Sequence, residues 1–307
     1  MQKQELADWG NYPVVEAEAH SFERAEQLAS VLAEPGEIIA HGNGRSYGDA
    51  SLQKRVIMTR QFASFLAFDE ARGELTCEAG VLLAEILEAF VPRGWFLPVS
   101  PGTKFVTVGG AVAADIHGKN HHVEGSFGVH VVAMEVMRAD GTVVCCSREE
   151  QPAFFALTVG GMGLSGVILR VTLRLKRIES AWMVQQTIRA PRLSGLMDAF
   201  ESDEAWTYSV AWVDTLAGGD ALGRGVLMRG EHAKKQEVVD RAQWGGARRR
   251  ALELPFYFPT GVLNRGTMRA FNTFYYYRNR QEVRSSLVDY ESFFYPLDGV
   301  GHWNRMY

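Results

Sequence analysis

Cysteine is scarce in this chain, and the few cysteines exclude two kinds of scaffold. The 307 residues include 3 cysteines, and two of these, Cys145 and Cys146, are adjacent. Such a set can build neither a disulfide framework nor the ligand spacing of a zinc site. We therefore expect a protein of a reducing cytoplasm that holds no metal.

Long apolar runs and an excess of basic charge are also missing. Apolar runs such as residues 81–84 are far too short to cross a bilayer, and the polar N-terminus lacks the apolar core of a signal peptide. The formal net charge is −4, so no basic field draws the protein to nucleic acid. We expect a cytoplasmic protein with no transmembrane segment, no signal peptide and no nucleic-acid partner.

Glycine, in contrast, is concentrated in clusters, and the first occupies residues 42–49. It follows a predicted strand, but Gly42, Gly44 and Gly48 do not have the G-x-G-x-x-G spacing of a nicotinamide-binding Rossmann fold. The residues alone leave two interpretations open. The loop either wraps a pyrophosphate with successive backbone N–H groups, Arg45 serving as charge partner, or it is a glycine-rich hairpin turn.

The second cluster, residues 101–122, is the stretch around which the chain is organised. It opens on a Pro-Gly turn, continues through two threonines and the Gly109-Gly110 pair, and runs into small residues at 111–114 that predict a short helix. It ends with a lysine and three histidines. This composition suits a cofactor with phosphates at one end and a redox or acid–base centre at the other. A third cluster, residues 158–168, indicates by itself only a packing turn.

The spacing of apolar residues gives the local structure around these clusters. Ser21 is a plausible N-cap for a helix reaching Leu32, and a hairpin turn is predicted at residues 139–142. The remaining predicted elements are a helix at 81–90 and strands at 37–41, 56–58, 75–79, 131–137, 143–146 and 169–175.

The composition changes near Ile178, where we place a domain boundary. Glycine clusters stop there and aromatic residues become frequent, which favours a second domain built as a sheet with an aromatic face. Residues 231–250 are rich in charged side chains, which is typical of a solvated helix or loop. The arginine triplet at 248–250 could touch an anionic lipid surface, although a solvated face is the simpler interpretation.

Taken together, the clusters resemble the flavin-binding domain of the vanillyl-alcohol oxidase superfamily, and within it the decaprenylphosphoryl-β-D-ribose 2-oxidase family. The residues that carry the resemblance are 42–49, 101–103, 106–111, 115–122, 125–128, 158–166, 209–212, 222–224, 295–298 and 303–305. The resemblance implies an α+β fold. A PCMH-type FAD-binding domain of two subdomains would occupy residues 1–178, and a partial sheet-based substrate (cap) domain residues 179–307.

The resemblance also implies FAD as the cofactor, with the pyrophosphate at residues 42–50, the flavin along 114–117 and the adenine side near Ile168. Many relatives carry a histidine, bonded covalently to the flavin, where this chain has Arg45. Arginine cannot form that bond, so we expect non-covalent FAD. The implied cofactor-binding residues are Gly42, Asn43, Gly44, Arg45, Ser46, Tyr47, Gly48, Asp49, Ala50, Gly102, Thr103, Thr107, Gly109, Gly110, Ala111, Ala114, Asp115, Ile116, His117 and Ile168.

Three residues match positions that lie near the flavin and the substrate in the family: Lys119, His117 and Tyr47. The resemblance implies catalytic roles for them in an enzyme that transfers a hydride from a CH–OH group to the flavin. A cation near the flavin N1–C2=O edge stabilises the anionic reduced form, which is the role expected of Lys119.

The implied substrate is a polyprenylphosphoryl ribose, oxidised at C2 to a 2-keto sugar on the route to a cell-wall arabinose precursor. The implied partners are a quinone-type electron acceptor and an NAD(P)H-dependent reductase, and a lipid-linked substrate would suit peripheral membrane contact. Family members continue past the position of Tyr307, so we expect a C-terminally truncated chain that lacks a family lysine and tyrosine.

Two alternatives stay open. The chain could be an alditol or aldonolactone oxidase or dehydrogenase of the same superfamily. A different class of function is a catalytically silent flavin-binding fragment.

Overall fold

A computed structural model of the chain describes residues 2–201, 206–239, 242–245, 252–254, 256–259, 261–279, 282–301 and 303–306. The helices are α1 (Ala25–Leu32), α2 (Leu83–Phe90), α3 (Val108–Ala113), α4 (His121–Glu124), α5 (Pro152–Thr158), α6 (Leu193–Glu201), α7 (Arg265–Arg278) and α8 (Tyr290–Phe294). The strands are β1 (Gln2–Leu6), β2 (Val15–Ser21), β3 (Ile39–His41), β4 (Arg55–Met58), β5 (Phe65–Asp69), β6 (Glu74–Glu78), β7 (Trp95–Phe96), β8 (Val131–Met137), β9 (Val143–Ser147), β10 (Val167–Arg174), β11 (Lys176–Arg177), β12 (Trp182–Ala190), β13 (Tyr208–Val213), β14 (Gly225–His232), β15 (Leu252–Glu253), β16 (Val283–Asp289) and β17 (Val300–Gly301).

The chain divides into two compact units, each with its own sheets. The first unit comprises Met1–Gly118 and Gly125–Arg177, and the second comprises Lys119–Glu124 and Ile178–Tyr307. Residues 119–124 therefore group with the second unit, although they lie within the stretch that the sequence analysis places in the first domain.

The first unit contains two larger sheets and the two-stranded sheet of β7 and β11. One has the strand order β1-β2-β4-β3, in which β4 runs parallel to β2 and to β3, and α1 connects β2 to β3. The other is antiparallel throughout, with the order β5-β6-β10-β8-β9. A core cluster that includes Leu28 of α1, Ile57 of β4 and Leu169 of β10 joins the two sheets, because it contains buried residues of both.

The hairpin of β8 and β9 forms where its turn residues predict it. The N–H of Arg138 donates to the carbonyl of Thr142 at 2.8 Å, and Gly141 adopts a φ of +80°, which glycine accepts without steric cost. Met137 then pairs with Val143, so the predicted strands at 131–137 and 143–146 lie side by side.

The first helix begins later than predicted. Ser21 ends β2, and α1 starts at Ala25, because the Gln27 side chain accepts the N–H groups of Glu23 and Arg24 at 2.9 and 3.1 Å. Phe22 is 3% exposed and packs in the core ahead of the helix. The apolar residues do have helical spacing, but the first of them, Phe22, belongs to the segment before the helix.

The second unit is built on an antiparallel sheet with the order β13-β14-β12-β16. Helix α6 packs on one face through Leu196, which clusters with Ala190 and Leu227. Tyr208 and Phe294 meet edge to face with ring centroids 4.9 Å apart, in an aromatic cluster of the kind predicted for this domain. The arginine triplet at 248–250 lies outside the described residues.

No helix in the described part of the chain has the length and apolar character needed to span a bilayer.

Candidate cofactor site

The first glycine cluster forms a loop that is fixed at both ends by a buried polar network. His41, at the end of β3, contacts the hydroxyl of Ser51 at 3.0 Å, and that hydroxyl donates to the carboxylate of Asp8 at 2.6 Å. Asp8 and His41 are 2% and 4% exposed. Because buried polar groups of this kind are costly to leave unpaired, the network holds residues 42–50 in one arrangement.

Gly42 lies against the start of α3. A Cβ atom at Gly42 would be 2.6 Å from the hydroxyl oxygen of Thr107, which is too short for a contact between these two atoms. That hydroxyl is already engaged, since Thr107 is the N-cap of α3 and accepts the N–H of Gly110 at 3.1 Å. The first and second glycine clusters therefore meet, and the contact requires glycine.

The third glycine cluster closes onto the same helix. The N–H of Gly160 donates to the carbonyl of Val112 at 3.0 Å, and the N–H of Met162 donates to that of Ala113 at 2.8 Å. These bonds satisfy carbonyls at the end of α3. The cluster is the packing turn that its composition indicates, and it also contributes Met162 and Gly163 to the cavity described next.

A cavity of about 330 Å³ lies where the three clusters converge. Its volume is within the range of small-molecule sites. The predicted cofactor residues that line it are Gly42, Asn43, Gly44, Arg45, Ser46, Tyr47, Ala50, Thr107, Gly109, Gly110, Ala114, Ile116 and Ile168. Tyr47 is 82% exposed and meets the ring of Trp9 edge to face, so it stands at the rim.

Seven predicted cofactor residues are not in the lining: Gly48, Asp49, Gly102, Thr103, Ala111, Asp115 and His117. Ala111 is fully buried within α3. Asp115 has a structural task, since its carboxylate accepts the N–H of Gly128 at 2.8 Å from a left-handed backbone conformation with φ of +41°. His117 and Gly102 are exposed.

Several residues of the cavity wall are not among the predicted cofactor residues: Ala40, Ser51, Thr59, Ala79, Val106, Ala113, Met162 and Gly163. Most are small, like the glycines beside them. Ala79 is the clearest case, because a Cβ at Gly109 would be 2.9 Å from the Cβ of Ala79. Ala113 belongs to the small-residue run that was recognised, whereas no local pattern points to Ala79 or Thr59.

Lys119, a predicted catalytic residue, has a defined environment in the second unit. Its ammonium donates to the backbone carbonyls of Phe293 and Phe294, the second at 3.0 Å, and lies 5.1 Å from the centroid of the Phe293 ring. The carbonyl of Lys119 in turn accepts the N–H of Ser209 at 2.8 Å. Burial lowers the pKa of the Lys119 amine from its usual value to about 8.

Comparison with known proteins identifies an FAD-binding domain in this chain. Residues 20–147 match the family described as FAD binding domain. Decaprenylphosphoryl-beta-D-ribose oxidase of Mycolicibacterium smegmatis is 35% identical over 323 residues, an alignment that covers 98% of this chain and 68% of the relative. L-gulonolactone oxidase of Mus musculus is 32% identical over 48% of this chain and 34% of its own length.

A third relative, D-lactate dehydrogenase of Archaeoglobus fulgidus, is 27% identical over 44% of this chain and 31% of its own length. According to their names, these relatives act on different substrates. The alignment with the mycobacterial protein extends over nearly the whole of this chain and two thirds of that protein. The chain therefore belongs to the family of FAD-dependent oxidoreductases that includes decaprenylphosphoryl-beta-D-ribose oxidase.

Proposed function

We propose that the chain binds FAD without a covalent bond in the cavity of the first unit and oxidises a secondary alcohol of a sugar. The observation that carries the proposal is the convergence of three separate glycine clusters on one cavity, within a chain of this family.

The cavity wall fits a flavin nucleotide. Gly42, Gly109 and Gly110 have no side chain, so the wall there is bare backbone, and an added Cβ at each would lie less than 3.0 Å from a protein atom. Backbone of this kind lets N–H groups approach a bulky phosphate closely. Arg45 adds a positive charge to the lining, and the hydroxyls of Ser46 and Ser51 add hydrogen-bonding groups.

The lining also supports a dissociable cofactor. Among the described residues, the cavity lining contains neither a histidine nor a cysteine, the side chains that most readily bond to a flavin ring. Arg45 lies in the loop at the position where the family resemblance implies a covalent histidine in many relatives. We expect the flavin to be held by hydrogen bonds, charge and packing only.

Within this proposal, cofactor contacts belong first to the predicted residues that line the cavity. The assignments of Gly48, Asp49, Gly102, Thr103, Ala111, Asp115 and His117 rest on the family resemblance alone. Ala111 and Asp115 have structural roles that account for their identity without a cofactor contact.

When bound, the flavin supplies the hydride acceptor for alcohol oxidation. We propose Lys119 as the source of positive charge that favours the reduced flavin, with His117 and Tyr47 as further catalytic residues. The lowered pKa of Lys119 supports its assignment, because strongly perturbed lysines concentrate at functional sites. The exposed position of Tyr47 at the cavity rim is open to a substrate as well as to a cofactor.

We propose a polyprenylphosphoryl ribose as the substrate, following the name of the mycobacterial relative. A quinone-type acceptor would take up the two electrons removed from the sugar, and an NAD(P)H-dependent reductase would use the keto product. The similarity to L-gulonolactone oxidase favours a second candidate, the oxidation of an aldonolactone or alditol.

Anaerobic mixing with candidate substrates tests this function. Farnesylphosphoryl ribose, a short and manageable member of the proposed class, should bleach the long-wavelength flavin band of the holoprotein, whereas gulonolactone and free alditols should not. Bleaching by the lactone or alditol alone would favour the second candidate. If the protein binds FAD but none of these compounds reduces the bound flavin, the proposed activity is contradicted. That result would favour a catalytically silent flavin-binding protein.

A further inference from the structure

Three side chains that can bind a metal ion meet beside the parallel part of the first unit. Glu18 and His20 are two residues apart on β2, so they lie on the same face of that strand. Glu34 follows Ala33, the residue that caps the C-terminal end of α1. The ligand atoms of Glu18, His20 and Glu34 all lie within 4.8 Å of one another. The fold therefore brings together one imidazole and two carboxylates from two separate elements.

His20 is the buried member of this group. Its side chain is 9% exposed, whereas those of Glu18 and Glu34 are 24% and 57% exposed. The ring atom Nε2 of His20 is buried and makes no hydrogen bond to any residue in the described part of the chain. A buried polar atom without a hydrogen bond is costly, so the position of this nitrogen needs an explanation.

The contact between His20 and Glu18 has the spacing of two ligands of one ion. Nε2 of His20 lies 2.8 Å from Oε1 of Glu18, yet the two groups are not aligned for a hydrogen bond. Zn²⁺ binds imidazole nitrogen and carboxylate oxygen at about 2.0–2.2 Å, so two ligands in neighbouring positions around it are about 2.8–3.5 Å apart. An ion between the two atoms would satisfy the buried nitrogen.

Arg55 holds Glu34 in place and leaves it able to bind an ion. Nη2 of Arg55 donates to Oε2 of Glu34 at 2.8 Å and to the carbonyl of Val31 at 3.2 Å, which fixes the guanidinium against the end of α1. A carboxylate has two oxygens, so it can accept this bond and bind an ion as well. Such bonds orient the carboxylates of metal sites. The two carboxylates of the group also outweigh the single guanidinium in charge, which favours a cation.

The kinds of ligand identify the class of ion. Imidazole nitrogen together with carboxylate oxygen suits Zn²⁺ and similar divalent transition metals, whereas Ca²⁺ and Mg²⁺ prefer oxygen ligands alone. The expectation of a protein without metal rested on its cysteines, and this group contains none. We propose that Glu18, His20 and Glu34 bind one divalent transition-metal ion of the Zn²⁺ type, which links β2 to the segment after α1. This inference does not rest on the proposed function.

Isothermal titration with Zn²⁺ tests the site in the full chain after dialysis against a chelator. The protein should bind one Zn²⁺ saturably and should bind Mg²⁺ far more weakly. His20→Asn should weaken Zn²⁺ binding by about a hundredfold and Glu34→Gln by about tenfold, because the loss of a ligand costs at least as much as the loss of a residue that supports one. Zn²⁺ should raise the melting temperature of the parent chain and leave that of His20→Asn unchanged.

Two controls separate this site from other groups that bind Zn²⁺. Glu37→Gln removes an exposed carboxylate three positions after Glu34, and H121N/H122N removes two exposed imidazoles of α4. Both variants should bind Zn²⁺ as the parent chain does.

Circular dichroism verifies that each variant is folded. Should His20→Asn fail to fold, Glu34→Gln decides the question, because its side chain is exposed. A parent chain without saturable Zn²⁺ binding would overturn the proposal and indicate that His20 and Glu18 form an ordinary ion pair. Unchanged binding in Glu34→Gln, or loss of binding in H121N/H122N, would overturn it as well.

Discussion

The shape of the cavity depends on single residues of its wall, and among its glycines Gly42 leaves the least room for a side chain. A methyl group there would lie 2.6 Å from the hydroxyl of Thr107, whereas an added Cβ at Gly102 meets nothing within 4 Å. Gly42 lines the cavity and Gly102 does not. The two glycines are equally predicted from the sequence, and only the structure distinguishes them.

Gly42→Ala should therefore weaken FAD binding by about tenfold or more, because the displaced loop or helix start costs at least the free energy of one good contact. Gly102→Ala is the control and should bind FAD as the parent chain does. Fluorescence titration of the apoproteins with FAD measures both. Equal weakening in the two variants would show that the resemblance locates cofactor contacts better than the cavity does.

Lys119 predicts the pH dependence of the reaction. Burial lowers its pKa to about 8, so the amine is a cation below that pH and becomes neutral as the pH rises through it. If the cation favours the reduced flavin, the rate of flavin reduction should fall above pH 8. Lys119→Arg should keep its rate to higher pH, because arginine stays protonated.

Stopped-flow reduction between about pH 6 and about pH 10 gives these profiles. Lys119→Ala supplies the control, since it should slow flavin reduction much more than it weakens FAD binding. A parent profile that is flat through pH 8, or an arginine variant that loses activity at the same pH, would contradict the assignment. Equal loss of binding and reduction in Lys119→Ala would mean that the lysine serves the fold.

The residues of the site that could be predicted are those with local signatures. The glycine clusters are visible in a few consecutive letters, whereas the start of α3 at Val108, ahead of the predicted 111–114, was not predicted. Asp8 is not, although its 2.6 Å bond to Ser51 fixes the first loop, because the two residues are 43 positions apart. Ala79 is missed for the same reason: its contact with Gly109 exists only after folding.

At the scale of elements, the bonds from Asn272 of α7 and from Arg224 to the buried Asp214 have the largest expected effect on the free energy of unfolding. Asp214 is 1% exposed and is bonded by Asn272, Arg224 and the N–H of Leu216. Burial alone would raise the pKa of this carboxyl, but the bonds from Asn272, Arg224 and Leu216 together outweigh burial and hold the pKa below its usual value.

Asp214→Asn should lower the free energy of unfolding by about 3–5 kcal/mol at neutral pH, because it leaves the Arg224 charge without its partner. The contribution of Asp214 is fully present above the unfolded carboxyl pKa of about 3.9 and is lost as the pH falls through the lower folded value. The difference between parent and variant should therefore shrink in acid. Urea denaturation measures it, and exposed Asp220→Asn is the control.

The elements themselves were predictable where a turn or a cap limits them. The β8–β9 hairpin follows from its Asp-Gly turn, and α2 begins where Glu85 accepts the N–H of Leu82 at 2.7 Å. The predicted start of α1 was three residues too early, since Phe22 has helical spacing but packs before the helix. The exposure of Phe271 and Phe274 on α7 could not be predicted, because the same letters would suit a buried helix.

At the scale of the whole molecule, the division into two units separates two tasks. The first unit contains the cavity built by the glycine clusters, and the second contains Lys119 and the aromatic cluster. The composition changes near Ile178, where the sequence predicts a domain boundary. This change could not indicate that residues 119–124 group with the second unit, because the resemblance motif runs through them without interruption.

The central claim is that the first unit holds a dissociable flavin, and acid precipitation of the purified protein tests it most directly. The chain should carry a flavin spectrum after purification or after addition of FAD, and acid should leave the whole chromophore in the supernatant as intact FAD while the protein pellet is colourless. Gly42→Ala should carry less flavin than Gly102→Ala in the same assay. A yellow pellet would contradict the non-covalent site, and a protein that remains colourless in excess FAD would contradict the account as a whole.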